Sequence, residues 1–206
     1  MGGRVLISSI ILASGFSTRM KQEKLLLPIN GVPMILRVAQ AVFESNVDER
    51  ILVYRKSEIK QLVCHFLTKA VYNPNAERGQ SEAVKLGLHH VSQTSVCCLF
   101  FMGDQPLMNA SIINEIIDCW KVNPEKIVVP LYGGTPGSPV LFPCRYYPSL
   151  AKIKGDHGGR EVIKNHQDAV VFLDINDEKA GLDADTHAAY IRLVSDQHEN
   201  NHDDSE

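Results

Sequence analysis

The sequence predicts an α/β fold with a mostly parallel central sheet flanked by helices, and two observations carry that prediction. Apolar runs of strand length recur along the chain with little polar alternation, the pattern of strands covered on both faces. Between several of them lie segments whose apolar residues repeat at helical spacing, as helices do when they lay one face on such a sheet.

The runs fall at Val5–Leu12, Ile51–Tyr54, Lys69–Tyr72, Val96–Met102, Lys126–Leu131, Pro139–Phe142 and Ala169–Leu173. The first helix is expected over Pro33–Ser45, with Ile35, Val38, Ala39 and Val42 on one face and Pro33 at its first position. Ser57–Leu67 sets Ile59, Leu62, Val63 and Phe66 on one face. Asn109–Trp120 opens on a polar cap and then spaces Ile112, Ile113, Ile116, Ile117 and Trp120 helically. A last helix begins near His187, with Asp185 or Thr186 to cap it. There is no internal repeat or linker, so residues 1–194 read as one domain, followed by a polar, acidic tail over 195–206 that is expected to be disordered, with no apolar residue to dock it.

Charge and cysteine usage narrow the class. The 206 residues carry 21 cations, 24 acids and a net charge of −3. Setting aside five acids in the tail leaves 19 against 21 cations, a body of about +2. That excludes a nucleic-acid coat. Five scattered cysteines without a CxxC pair, no leader pattern and no apolar stretch of membrane-spanning length point to a reduced, soluble, cytoplasmic protein with no membrane partner. The histidines form no i, i+4 metal pair on a stable helix: His89 and His90 are adjacent, and His198 and His202 lie in the tail.

Ligands of open α/β sheets lie beyond the carboxyl ends of the strands, so the residues that follow each strand carry the chemistry. After the first comes "LASGFSTRMKQEK". Gly15 and its small neighbours Ala13 and Ser14 let backbone N–H groups approach an anion, and Arg19 and Lys24 add charge-assisted bonds to phosphate oxygens. Neither GxxxxGK[ST] nor GxGxxG is present, and the stretch reads equally as a solvated turn with surface cations. After the fourth run stands Gly103-Asp104-Gln105-Pro106, a carboxylate opposite a phosphate loop, suited to Mg²⁺ and also to a simple Asp turn. Asp183 and Asp185 follow the last run, and two glycine-rich segments, "GGTPGSPVLF" and "KGDHGGR", remain.

Taken together, "LASGFSTRMKQEKLLLPINGVPMI", "NPNAERGQSEAVKLGL", "MGDQPLM", "GSPVLF", "KGDHGGREVI" and "LDADTHAAY" resemble the motifs of the molybdenum cofactor nucleotidyltransferases, above all the molybdopterin cytidylyltransferase group. The resemblance runs over about residues 5–192. It implies the Rossmann-like nucleotidyltransferase fold and Mg²⁺-dependent transfer of a nucleotidyl group, CMP from CTP, to the phosphate of molybdopterin. Leu12, Ala13, Ser14, Gly15, Ser17, Arg19 and Lys24 would hold the triphosphate. Gly79 and Ser81 would serve the base, Asp104 and Asp185 the metal, and Gly137, Ser138, Pro139, Gly158, Gly159 and Arg160 the pterin acceptor. Arg19, Lys24 and Asp104 are the implied catalytic groups, and a molybdenum hydroxylase is the implied recipient.

Three departures bear on that expectation. Ser14 stands where the group has a second Ala and the related guanylyltransferases have Gly, so GTP stays open beside CTP. Lys21 replaces a Gly after Arg-Met, and Ser138 replaces the His of a Gly-His-Pro motif. Two other readings share these loops, a non-catalytic molybdopterin-binding chaperone and a sugar-phosphate nucleotidyltransferase.

Overall fold

The computed structural model describes residues 5–17, 20, 22–156 and 158–200, the side chains of 196–200 excepted. Ten strands form two sheets. They are β1 (Leu6–Ala13), β2 (Pro28–Ile29), β3 (Val32–Pro33), β4 (Glu49–Tyr54), β5 (Lys69–Tyr72), β6 (Ser95–Met102), β7 (Ile127–Tyr132), β8 (Thr135–Pro136), β9 (Val140–Pro143) and β10 (Val170–Ile175). The helices are α1 (Met34–Glu44), α2 (Ser57–Val63), α3 (Gln80–His89), α4 (Ala110–Val122), α5 (Tyr147–Leu150), α6 (Arg160–Asn165) and α7 (His187–Asn200). All seven expected runs are strands of the main sheet, in the order β10-β7-β9-β6-β1-β4-β5, with β8 pairing β7. Every neighbouring pair along that order is parallel except those made by β9.

Two-sided burial explains why the strands lack polar alternation. In β1, Ile7, Ile11 and Ala13 enter the core shared with α1, α2 and α4, while Ile10 and Leu12 enter the core under α3 and α6. β6 divides the same way, with Leu99 and Phe101 on one face and Cys98 and Phe100 on the other. The two polar residues inside β1 are satisfied where they stand. Ser8 Oγ donates to Glu49 Oε2 at 2.7 Å, and Ser9 Oγ donates to the Glu49 carbonyl at 3.2 Å. Cys97 and Cys98 are fully buried in β6, and burial pushes both thiols up.

The expected helices form with adjusted ends. The Asn109 side chain accepts from Ile112 N at 3.0 Å and caps α4, burying the isoleucine face. α2 stops at Val63 and tightens into a 3₁₀ turn over Cys64–Phe66, short of the expected Leu67. Pro33 is not the first residue of α1. It closes a two-stranded hairpin with Pro28, turning at Asn30 and Gly31, both at positive φ, and α1 begins one residue later. Asn-Gly between short apolar stretches is the sequence signal of that hairpin. Thr186 caps α7, its Oγ1 accepting from Ala189 N at 3.1 Å. α7 runs past 194 to Asn200, so the expected tail begins inside this helix, and 201–206 lie outside the described residues.

The chain winds from β1 outward through β4 and β5, then returns to place β6 on the other side of β1. This reversal opens a crevice at the carboxyl ends of β1 and β6, the place where such sheets receive ligands.

Candidate active site

The crevice is a cleft of about 520 Å³. Its wall after β1 is Ser14 to Ser17, and its floor at the end of β6 is Gly103 and Asp104. Gly103 N donates to the Leu12 carbonyl at 3.2 Å, which ties the two strand ends together. A Cβ at Gly15 would meet no atom within 4 Å, so open cleft lies beside that backbone. Ser14 is buried, and its Oγ accepts from Asn73 Nδ2 at 3.0 Å. Ser17 Oγ accepts from Lys24 N at 3.1 Å and donates to Glu23 Oε1 at 3.2 Å. The buried Glu23 carboxylate pairs in turn with Arg55 at 3.0 Å, and the Arg55 guanidinium lies 4.4 Å from the centre of the Phe16 ring. The loop is thus tied at Phe16 and Glu23 to Arg55, just past the end of β4.

Lys24 opens a short 3₁₀ turn anchored by buried Leu25. Its ammonium reaches across the cleft to Asp104 Oδ2 and to Asp185 Oδ1, the latter at 2.7 Å. Burial lowers the Lys24 pKa, but the attraction of Asp104 and then Asp185 outweighs it, so the net shift is upward. The Asp104 side chain is 6% exposed, and its Oδ1 has no hydrogen-bond partner among the described residues. Asp185 is brought there by a backbone bond from Ala184 N to the Asp104 carbonyl at 3.3 Å and by burial of Ala184 against Ile29, Met34 and Leu193. Asp183 points back along its own chain, Oδ1 accepting from Asp185 N at 3.4 Å. Burial, then the nearby carboxylates of Asp185 and Asp104, holds Asp183 above the ordinary carboxylate range.

The far wall is the start of α3. Gly79 adopts φ +97°, and a Cβ there would fall 2.6 Å from Asp156 Oδ1 and 2.8 Å from the Gly155 carbonyl carbon. Gly155 and Asp156 therefore seat on the first turn of α3: Gln80 N donates to Asp156 Oδ1 at 3.1 Å and Ser81 N to the Gly155 carbonyl at 3.0 Å. Gly158 lies against the Gln80 side chain. Asp156, which the sequence does not single out, becomes a cleft residue through this contact.

The structure thus brings Leu12, Ser14, Gly15, Ser17, Lys24, Gly79, Asp104 and Asp185 to one cleft. Ala13 faces away into the core, and Ser81 is buried behind the wall, its Oγ without a partner among the described residues. Gly137 and Gly159 pack against the rings of Tyr132 and Phe142, contacts that explain both glycines by packing. The Ser138 carbonyl accepts from Tyr132 Oη at 2.8 Å. Ser138 and Pro139 enter β9, which pairs with β6 at Val140–Phe100, so they stand at the same sheet edge beside the cleft. Arg160 is exposed at the start of α6. Arg19 lies outside the described residues, as does His157. Glu23, Arg55 and Asn73 organise the wall without any sequence signal beyond charge and polarity.

Can the site hold a divalent cation? A buried carboxylate with an orphaned oxygen, beside a second carboxylate, suits a hard cation. No group of three His, Cys, Asp or Glu among the described residues is placed to hold one alone. Ligand oxygens would have to complete the coordination, as phosphates do for Mg²⁺.

Known proteins share this arrangement of chain. The chain is 26% identical over 195 residues to the purine catabolism protein PucB of Bacillus subtilis, covering 88% of this chain and 92% of that one. It is 30% identical over 186 residues to the molybdenum cofactor cytidylyltransferase of Escherichia coli, covering 82% and 91%. The crystal structure of Rv0371c from Mycobacterium tuberculosis superposes with a TM-score of 0.80 at 22% identity, covering 94% of this chain and all of that one. A manganese complex of Rv0371c superposes at 0.77. At those identities the superpositions establish the fold. The MobA-like NTP transferase domain matches residues 9–170, from the middle of β1 to the first residue of β10. That match spans both strand ends that make the crevice, and the chain belongs to the MobA-like NTP transferase domain family.

Proposed function

We propose that this protein transfers a nucleotidyl group, CMP from CTP, to the phosphate of molybdopterin and releases pyrophosphate. The observation that carries the proposal is the convergence of Lys24, Asp104 and Asp185 beneath an open small-residue loop. A protein that only carried a pterin would need no cation and paired carboxylates in a nucleotide-sized cleft. The 30% identity to a molybdenum cofactor cytidylyltransferase supports the choice of CTP and molybdopterin.

In the proposed reaction, an oxygen of the acceptor phosphate attacks the α-phosphorus of CTP in line, and the bond from that phosphorus to the bridging oxygen of pyrophosphate breaks. The acceptor phosphate is already ionised near neutral pH, so no general base is required. Rate enhancement then rests on positioning and on neutralising charge. Backbone N–H groups of Ser14 and Gly15 and the side chains of Arg19 and Lys24 hold the triphosphate, and Lys24 balances charge growing on the leaving pyrophosphate. Asp104 and Asp185 would hold Mg²⁺, which neutralises phosphate charge and orients the reacting groups when bound. The manganese complex of a protein with this fold supports a divalent cation here. Asn73 holds Ser14 in place and so bears on base choice. Ser138 and Pro139, at the sheet edge beside the cleft, with Gly158 and Arg160, would serve the acceptor.

The test is calorimetric titration of the protein with CTP, GTP, ATP and UTP, each with Mg²⁺, followed by pyrophosphate release with molybdopterin. Preferential CTP binding and release dependent on molybdopterin are expected. Preference for GTP would assign guanylyl transfer, and preference for UTP or ATP would assign a sugar-phosphate acceptor. No nucleotide binding would remove the transferase assignment.

A further inference from the structure

We propose that Lys24 is a resident stand-in for the divalent cation, so that the metal and the nucleotide must enter together and Lys24 changes partner when they do. The inference rests on the preceding reading in one respect, that Asp104 and Asp185 are the carboxylates a metal would use.

Lys24 Nζ hydrogen-bonds both carboxylates at once, Asp104 Oδ2 and Asp185 Oδ1. A divalent ion that bridged those oxygens would need the place the ammonium takes. The lysine side chain is 18% exposed and that of Asp104 6%, so neither charge has bulk water to fall back on. Withdrawing Lys24 without a new anion would leave its ammonium poorly solvated and facing an incoming dication. A triphosphate removes both penalties, because its oxygens accept the ammonium and complete the metal's shell. Asp104 Oδ1, buried and without a partner among the described residues, is a carboxylate oxygen left for a cation once Lys24 moves. The arrangement therefore predicts antagonism between Lys24 and free metal, and cooperation between metal and nucleotide. By linkage, each of those two ligands raises the affinity for the other by the same factor.

The experiment titrates the full-length protein with Mn²⁺ alone, reading free ion by electron paramagnetic resonance. Lys24→Met keeps the aliphatic stem and removes the charge, and is expected to bind Mn²⁺ about tenfold or more tighter than wild type, within the usual range of coupling between sites. Adding Asp104→Asn to that variant should return the affinity to the wild-type level. Saturating CTP should tighten Mn²⁺ binding to wild type, with a smaller effect on Lys24→Met. Equal Mn²⁺ affinity of wild type and Lys24→Met overturns the inference, and so does failure of both to bind. Melting curves and Lys24→Gln guard against a misfolded variant. If neither variant folds, wild type decides: Mn²⁺ affinity unchanged by CTP refutes the coupling. Because the first titration contains no nucleotide, a gain in Lys24→Met alongside absent pyrophosphate release would sink the transferase reading and leave the antagonism standing.

Discussion

Replacing Gly79 with alanine is expected to unseat Gly155 and Asp156 from the wall of the cleft. Gly79 sits at φ +97°, ψ 178°, a region essentially reserved for glycine, and forcing a side chain into it costs about 1–3 kcal/mol. The new Cβ would lie 2.6 Å from Asp156 Oδ1 and 2.8–2.9 Å from the Gly155 carbonyl. Backbone atoms cannot swing aside as a side chain can, so the segment must move. Movement releases two hydrogen bonds to the first turn of α3, one of them to a carboxylate, for roughly another 1–3 kcal/mol. The sum, about 2–6 kcal/mol, is a large share of a typical domain's stability and corresponds to a fall in Tm of roughly 4–24 °C in a chain of this size. Thermal melting measures it, with Gly134→Ala as the control. Gly134 also has positive φ, at +76°, but a Cβ there meets nothing within 4 Å, so that variant carries the backbone cost alone. The same Gly79→Ala protein should bind nucleotide more weakly, since Gly79, Gln80 and Asp156 line the cleft. A Tm loss no larger than that of Gly134→Ala would refute the packing of this segment on α3.

Two other perturbations follow from the same structure. Asp104→Asn should lower kcat about 10²–10³-fold while shifting stability by only about 1–3 kcal/mol, because Asn keeps the shape and Lys24 retains Asp185; kinetics and melting curves check both, and a fully active variant would remove Asp104 from the reaction. Glu49, at the opposite edge of the sheet, tests pH dependence. Burial pushes its carboxyl up, but bonds from Lys69, Ser92 N and Ser8 outweigh that and hold it below its ordinary 4.5. A depressed folded-state pKa gives stability that is present above pH 4.5 and is lost as pH falls through the folded value. Glu49→Gln should therefore melt below wild type at pH 7, with the gap closing below pH 4.5. A gap of constant size from pH 7 to pH 3 would contradict it.

Much of the fold is legible in the chain because two-sided burial writes itself as uninterrupted apolar runs, as in "VCCLFFM". The isoleucines of α4 and its Asn109 cap are equally local. The β2–β3 hairpin was legible too, in Asn30-Gly31, but the strong helical pattern from Pro33 onward assigned Pro33, its last residue, to α1. The early end of α2 is different. Its apolar spacing continues to Phe66, and only the packing of Val63 against the core while Cys64 and His65 face solvent sets the stop. At the site, Asp104 could be found from its place after a buried strand. Asp156 could not, because its role exists only where it meets Gln80 at the start of α3, 76 positions away. Nor could the glycines at 137 and 159 be told from ligand-side glycines, since an aromatic ring and a substrate both demand a missing Cβ.

By itself, then, the sequence determined the α/β class, the two strand ends that make the cleft, and the residue types able to hold a phosphate and a cation. These are properties of contiguous residues, set by periodicity and by what immediately follows a strand. Only the tertiary structure decided that Lys24 joins Asp104 and Asp185 across separations of 80 and 161 residues. It also decided that Asp185, and not Asp183, turns to the ammonium. Electrostatic partnership depends on distance and burial, and both are fixed by the crossovers that return β6 beside β1 and by the docking of Ala184 and α7 onto the hairpin.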